Sequence, residues 1–199
     1  ACTIDVAGGG FTDAAGNTNS AASQFTWNHD DTKPTMIITA AEVTTGNTSN
    51  DATLSLTFTS SENTTNFAVG DISVSNGALS NFASTSAKVY TATFTPTADG
   101  ACTIDVGAGG FSDANGNTNS AATQFTWTHD TTSPSVVINS FTMDDRTLKA
   151  GETTEVTLVF SEPVANFSNA DITVVNGTLT PMSSDDNITW KGTFIPTLD

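Results

Sequence analysis

Residues 101–127 read ACTIDVGAGGFSDANGNTNSAATQFTW, and residues 1–27 read ACTIDVAGGGFTDAAGNTNSAASQFTW. The two stretches align without a gap at an offset of 100, Cys102 falling on Cys2. Self-similarity at a fixed period is the mark of a tandem array, each copy one structural unit. Within the stretch, Cys102, Ile104 and Val106 alternate with polar residues, as do Phe125 and Trp127. Alternation of this kind predicts short strands with one apolar face. Between them lies Phe111-Ser112-Asp113-Ala114-Asn115-Gly116-Asn117, rich in turn formers, which predicts a loop.

The similarity continues more loosely outside the quoted stretch. Asn66-Phe67, Asp71-Ile72 and Asn76-Gly77 recur as Asn166-Phe167, Asp171-Ile172 and Asn176-Gly177. Leu54, Leu56 and Phe58 answer to Val156, Leu158 and Phe160, an offset of 102, so the loop before that strand is longer in the later copy. Pro-containing linkers at 30–34 and 130–134 divide the chain into 1–33, the closing strands of one domain; 34–133, a whole domain; and 134–199, the opening strands of another. The array is cut out of phase, so the two ends read as halves of one domain. They are expected to meet head-to-tail, either as parts of a longer polypeptide or between copies of the chain.

The whole domain reads as seven short strands: 36–40, 54–60, 72–75, 78–82, 88–95, 102–106 and 124–129. Many short alternating strands with frequent turns predict an all-β fold of tandem β-sandwich domains in an elongated array. Asn76-Gly77 is expected to form a tight hairpin turn. Because strand direction alternates, the loops sort to two ends. The loops at 61–71 and 107–123 fall beside the entering linker, and those near 41–53, 76–77 and 96–101 at the opposite end.

Net charge is −16, from 21 acidic and 5 basic residues. Such a surface repels phosphate backbones and anionic lipid, which excludes nucleic acid as a partner. No apolar run reaches the ~20 residues of a membrane helix, so no membrane insertion is expected. The surface does attract cations. At the linker end of the whole domain the predicted topology gathers Asp30, Asp31, Glu62, Asp71 and Asp113, with Asn115 and Asn117. Carboxylates gathered in flexible loops need a counter-charge. Hard oxygen ligands in adaptable geometry suit Ca²⁺ better than Mg²⁺, which demands a tight octahedron. The last domain repeats the set with Asp130, Glu162 and Asp171. The loop that would complete it corresponds to Asp13 and Asn17, which belong to the preceding domain or to an abutting copy. The alternative reading of these residues is ordinary turn and cap chemistry on a solvated surface.

Several stretches resemble the bacterial immunoglobulin-like repeats of giant secreted adhesins and related extracellular surface proteins. They are Phe160-Ser161-Glu162-Pro163-Val164, Ala170-Asp171-Ile172-Thr173-Val174, Asn176-Gly177, Phe11-Thr12-Asp13-Ala14-Ala15-Gly16-Asn17 and the Asp130-Thr131-Thr132-Ser133-Pro134 linker. In this order and spacing they cover nearly the whole chain. The resemblance implies a β-sandwich, calcium at or near domain junctions, and service as extender or adhesive modules on the cell surface. The whole domain departs from it at Thr59-Ser60-Ser61-Glu62-Asn63, where the Pro is lost. The pattern therefore carries over more directly to Glu162 than to Glu62.

No catalytic constellation is present in the sequence: no nucleophile elbow, no metalloprotease helix motif, no phosphate loop. The chain is not expected to be an enzyme. Cys2 and Cys102 share one repeat position, facing inward, and read as buried free thiols. His29 and His129 read as surface residues at strand ends. The function expected is a structural repeat module of a long extracellular filament or surface adhesin, stiffened by calcium. The alternative is an adhesin module that binds carbohydrate or another surface ligand.

Overall fold

Leu54, Leu56 and Phe58 lie buried on one face of β5 (Leu54–Ser60), with Ser55 and Thr59 turned to solvent. This alternation buries one face of a strand against a second layer and leaves the other wet. The computed structural model describes residues 1–137, 142–149 and 151–197, in two compact units, Ala1–Thr131, which contains β5, and Thr132–Asp199.

The first unit opens with a two-stranded antiparallel ribbon, β1 (Cys2–Ile4) and β2 (Phe25–Trp27). A sandwich of two sheets follows. The first sheet has the order β3 (Met36–Ala40), β5, β8 (Val89–Pro96), β7 (Gly77–Ser84). The second has the order β4 (Thr48–Ser49), β10 (Phe125–His129), β9 (Gly100–Val106), β6 (Ile72–Ser75). Inward residues of both sheets form the core, among them Leu54, Phe58, Phe94, Ile104, Val106 and Trp127. Phe67 and Phe111, carried by the loops at the linker end, pack edge-on with ring centroids 5.0 Å apart. Burying these two rings ties both loops to the sandwich, so the polar residues beside them are held in place.

The expected strands are present, with ends moved by a residue or two. One expectation about connectivity fails. Asn76-Gly77 does not join a hairpin: β6 pairs with β9 in one sheet, and β7 pairs with β8 in the other. The pair is a corner at which the chain changes sheets. Asn76 adopts φ 52°, and its side-chain amide donates to Ala98 O at 2.9 Å. A Cβ on Gly77 would sit 2.2 Å from Phe94 Cζ, so the glycine makes room for a core ring. His129 also departs from expectation. It is buried, with Nδ1 3.3 Å from Asp99 Oδ1 and its ring edge-on to Trp127. Cys102 is buried and unpaired, as read, whereas Cys2 is partly exposed.

The second unit contains one sheet, ordered β11 (Thr142–Met143), β12 (Thr154–Val159), β14 (Thr189–Pro196), β13 (Gly177–Leu179). It matches the β3-β5-β8-β7 sheet of the first unit strand for strand. Residues 172–175, the counterpart of β6, form no strand. In the first unit β6 pairs only with β9. Among the described residues the second unit has no such partner, and the segment stays irregular.

Candidate cation-binding site

Three carboxylates converge where the linker enters the sandwich. One oxygen each of Asp30, Glu62 and Asp113 lies within 4.8 Å of the others. Asp30 comes from the linker, Glu62 from the loop after β5, and Asp113 from the loop after β9. The two loops meet through Ser112 N donating to Asn66 Oδ1 at 2.8 Å and Thr65 N donating to Ser112 O at 3.1 Å. The linker is fixed by Pro34, which is buried and whose carbonyl accepts from Ser120 N at 2.9 Å. Among the described residues no other trio of His, Cys, Asp or Glu ligand atoms comes this close together.

Asp113 organises its own loop. Its Oδ1 accepts from the backbone N of Asn115 and Asn117, and its Oδ2 from Asn117 Nδ2. The Asn117 amide, above all, holds the Asp113 carboxyl below its ordinary pKa. Asp30 is lowered in the same sense, chiefly by the backbone N–H of Thr32 and then by the Thr32 hydroxyl and the Asn115 amide. Asn115 Nδ2 donates to Asp30 Oδ2 at 2.8 Å, and Asn117 Nδ2 to Asp30 O at 3.2 Å. Both carboxylates are thus held ionised, and side-chain N–H groups point at the oxygens a cation would take. Glu62 contributes differently. Its Oε1 is buried and has no hydrogen-bond partner. A buried unpaired carboxylate oxygen carries a full desolvation cost. The nearby ammonium of Lys88 donates to Ser61 O at 2.8 Å. Among the described residues no Lys, Arg or His makes an ion pair with any of the three carboxylates.

The other expected ligands lie elsewhere. Asp31 is exposed and outside the trio. Asp71 caps a single 3₁₀ turn, its Oδ2 accepting from Ala68 N at 2.8 Å; Asp171 does the same with Ser168 N at 3.0 Å. Asp13 and Asn17 repeat the Asp113–Asn117 hydrogen bonds on an exposed loop. Asp130 lies in the first unit, its N–H donating to Ser49 O at 3.1 Å. Glu162 lies in the second unit and shares the peculiarity of Glu62: its Oε1 is buried with no partner.

Asn119 is a determinant that loop composition alone does not single out. It is buried, accepts from Phe111 N at 3.1 Å and donates to Gly107 O and Ser120 O, closing the base of the Asp113 loop. Its signal in the sequence is identity between copies. Asn19 makes the matching bonds to Phe11 N, Ala7 O and Ser20 O.

The sandwich and its repetition agree with comparison to known families. Residues 30–128 and 130–199 each match the bacterial Ig-like domain. The chain belongs to that family. Comparison with curated proteins gives no match. The bacterial Ig-like domain is a structural and adhesion-type fold, typically found outside the cell or at its surface. No helix among the described residues is long and apolar enough to cross a membrane. The chain is accordingly a tandem repeat module of surface or extracellular type.

Proposed function

We propose that this chain is a structural segment of a long extracellular filament or surface adhesin, and that Ca²⁺ held by Asp30, Glu62 and Asp113 fixes each domain to the linker entering it. The observation that supports this most is the unpartnered Glu62 Oε1 beside two further carboxylates. Oxygens bound to one Ca²⁺ at 2.3–2.6 Å lie at most about 5 Å apart. A mutual separation within 4.8 Å fits that limit. The donor set is all oxygen, which matches a hard cation. Asn115 and Asn117 each carry an amide oxygen that a half-rotation turns toward the ion. Bound Ca²⁺ supplies the missing positive charge. It joins the linker to both loops, which converts a hinge into a fixed joint.

Extracellular calcium modules bind with Kd on the order of 10⁻⁴–10⁻³ M. At roughly a hundredfold excess over Kd, binding stabilises the folded state by about 2.7 kcal/mol. For a domain of this size that raises the melting temperature on the order of 10–20 °C. Thermal unfolding in excess calcium and in excess chelator should differ by that amount. In Glu62→Gln that difference should shrink by about half or more. Identical melting of the wild-type chain under the two conditions would refute the proposal.

A further inference from the structure

We infer that Asn115 is a site of spontaneous chemical modification: its side-chain amide is lost to attack by the backbone nitrogen of Gly116, and the carboxylate left behind joins the acidic oxygens of Asp30, Glu62 and Asp113.

An Asn-Gly peptide is open to this reaction because glycine has no Cβ to obstruct the approach of its nitrogen to the amide carbon. Three such pairs occur in the chain, at 76–77, 115–116 and 176–177. The structure separates them. At 76–77 and 176–177 the glycine is packed. A Cβ on Gly77 would meet Phe94 Cζ at 2.2 Å and Thr95 O at 2.7 Å, and one on Gly177 would meet Phe194 Cζ at 2.3 Å and Ile195 O at 2.9 Å. The Asn76 amide is pinned as well, with Nδ2 donating to Ala98 O at 2.9 Å and Oδ1 accepting from Thr97 Oγ1 at 3.1 Å. Turning the peptide toward the amide carbon at these corners would push against the core. Asn115 and Gly116 are exposed, and among the described residues nothing lies within 4 Å of where a Gly116 Cβ would sit. The Gly116 N–H donates to Asp113 O over a long 3.4 Å, a contact easily given up.

The atoms balance with water as the only co-reactant. Gly116 N bonds to Asn115 Cγ and loses its proton. The Cγ–Nδ2 bond breaks, and the amide nitrogen leaves with that proton as ammonia. Water then opens the cyclic imide. Cleavage of the new Cγ–N bond gives an aspartyl residue at 115; cleavage of the original peptide bond gives an isoaspartyl linkage through Cγ.

The place where the acid forms gives the reaction a consequence. Asn115 Nδ2 donates to Asp30 Oδ2 at 2.8 Å, and Asn115 lines the same hollow of about 320 Å³ as Glu62 and Asp113. A carboxylate accepts and cannot donate, so the reaction deletes that donor and sets an acidic oxygen opposite Asp30. Without a cation the like charges repel and loosen the linker. With one, the site gains a hard anionic oxygen, and affinity rises with the charge of the ligand set. The preceding copy of the repeat has Ala15 at this position and cannot undergo the change. The reaction needs no metal; its effect on affinity rests on the calcium reading proposed above.

The test ages the 199-residue chain in warm, mildly alkaline buffer with chelator, then digests it and maps the peptides by mass spectrometry. The peptide carrying Asn115 should gain the mass difference between an amide and an acid and split into aspartyl and isoaspartyl forms, while the peptides carrying Asn76 and Asn176 lag far behind. Asn115→Gln keeps an amide but lengthens the ring that must close, and should stay unmodified. Calcium titration reads the consequence: Asn115→Asp should bind Ca²⁺ at least about threefold more tightly than the wild type, and Asn115→Gln should not. Modification at Asn76 as fast as at Asn115, or an Asn115→Asp chain that binds no more tightly than a wild type that does bind, would overturn the inference. Absence of binding by both chains would refute the calcium reading and with it the ligand role, and the mass map decides the modification by itself.

Discussion

Asn119 closes the base of the Asp113 loop from a buried position, and Asn19 makes the same bonds where solvent can replace them. Removing a buried partner leaves an amide and carbonyls unsatisfied, at about 1–3 kcal/mol. Asn119→Ala should lower stability by about 2–3 kcal/mol in denaturant unfolding, while Asn19→Ala should change it by less than about 1 kcal/mol. Equal effects at the two positions would mean that burial is not what makes Asn119 count. At this scale the sequence was partly legible. Asp30, Glu62 and Asp113 could be named because loop composition and strand parity place acidic residues at one end. Which of them share a point could not be read. Asp71 carries the same residue type in the same loop, yet its carboxylate caps a turn. Composition does not tell a carboxylate that only caps a turn from one that joins the cluster. Glu62, which fits the family pattern less well than Glu162, nonetheless belongs to the trio.

At the scale of elements, alternation picks out the long strands of the sandwich, because each buries one face against the partner layer. Connectivity was harder. Asn76-Gly77 gives the local bend expected of it, since Asn76 takes a positive φ. A local bend does not say whether the flanking strands pair with each other or part into different sheets. That choice is made by β9, which is distant in sequence and claims β6, while β7 pairs with β8, the next strand along the chain. The glycine answers to tertiary packing: Phe94 occupies the space of its missing Cβ, and Phe194 does the same at Gly177, 2.3 Å from the position a Cβ would take. Overpacking a core in this way costs about 1–3 kcal/mol. Gly77→Ala should therefore destabilise the first unit by that amount in equilibrium unfolding. Gly77→Ala combined with Phe94→Leu should recover part of the loss relative to Phe94→Leu alone. A Gly77→Ala chain as stable as wild type would show that the ring moves aside freely. The irregular segment 172–175 makes the complementary point. Its sequence is as strand-like as that of β6, whose partner β9 has no counterpart among the described residues of the second unit.

For the whole molecule, the repeat period sets both the fold and the place where chemistry can occur. Successive Ig-like domains make an array, and a flexible array is stiffened only at its joints. The described acidic trio stands at such a joint, with one oxygen buried and unpaired and two carboxylates held ionised by amide donors. Stiffening of the joint depends on whether that cluster takes a cation. Isothermal titration of Ca²⁺ into the chain, with Asp113→Asn and Glu62→Gln alongside, measures this directly. Saturable binding is expected with Kd on the order of 10⁻⁴–10⁻³ M in the wild type, weakened at least about tenfold by either substitution, with Mg²⁺ bound more weakly. Absence of binding heat, or binding that neither substitution alters, would contradict it and leave the acidic residues as surface charge alone.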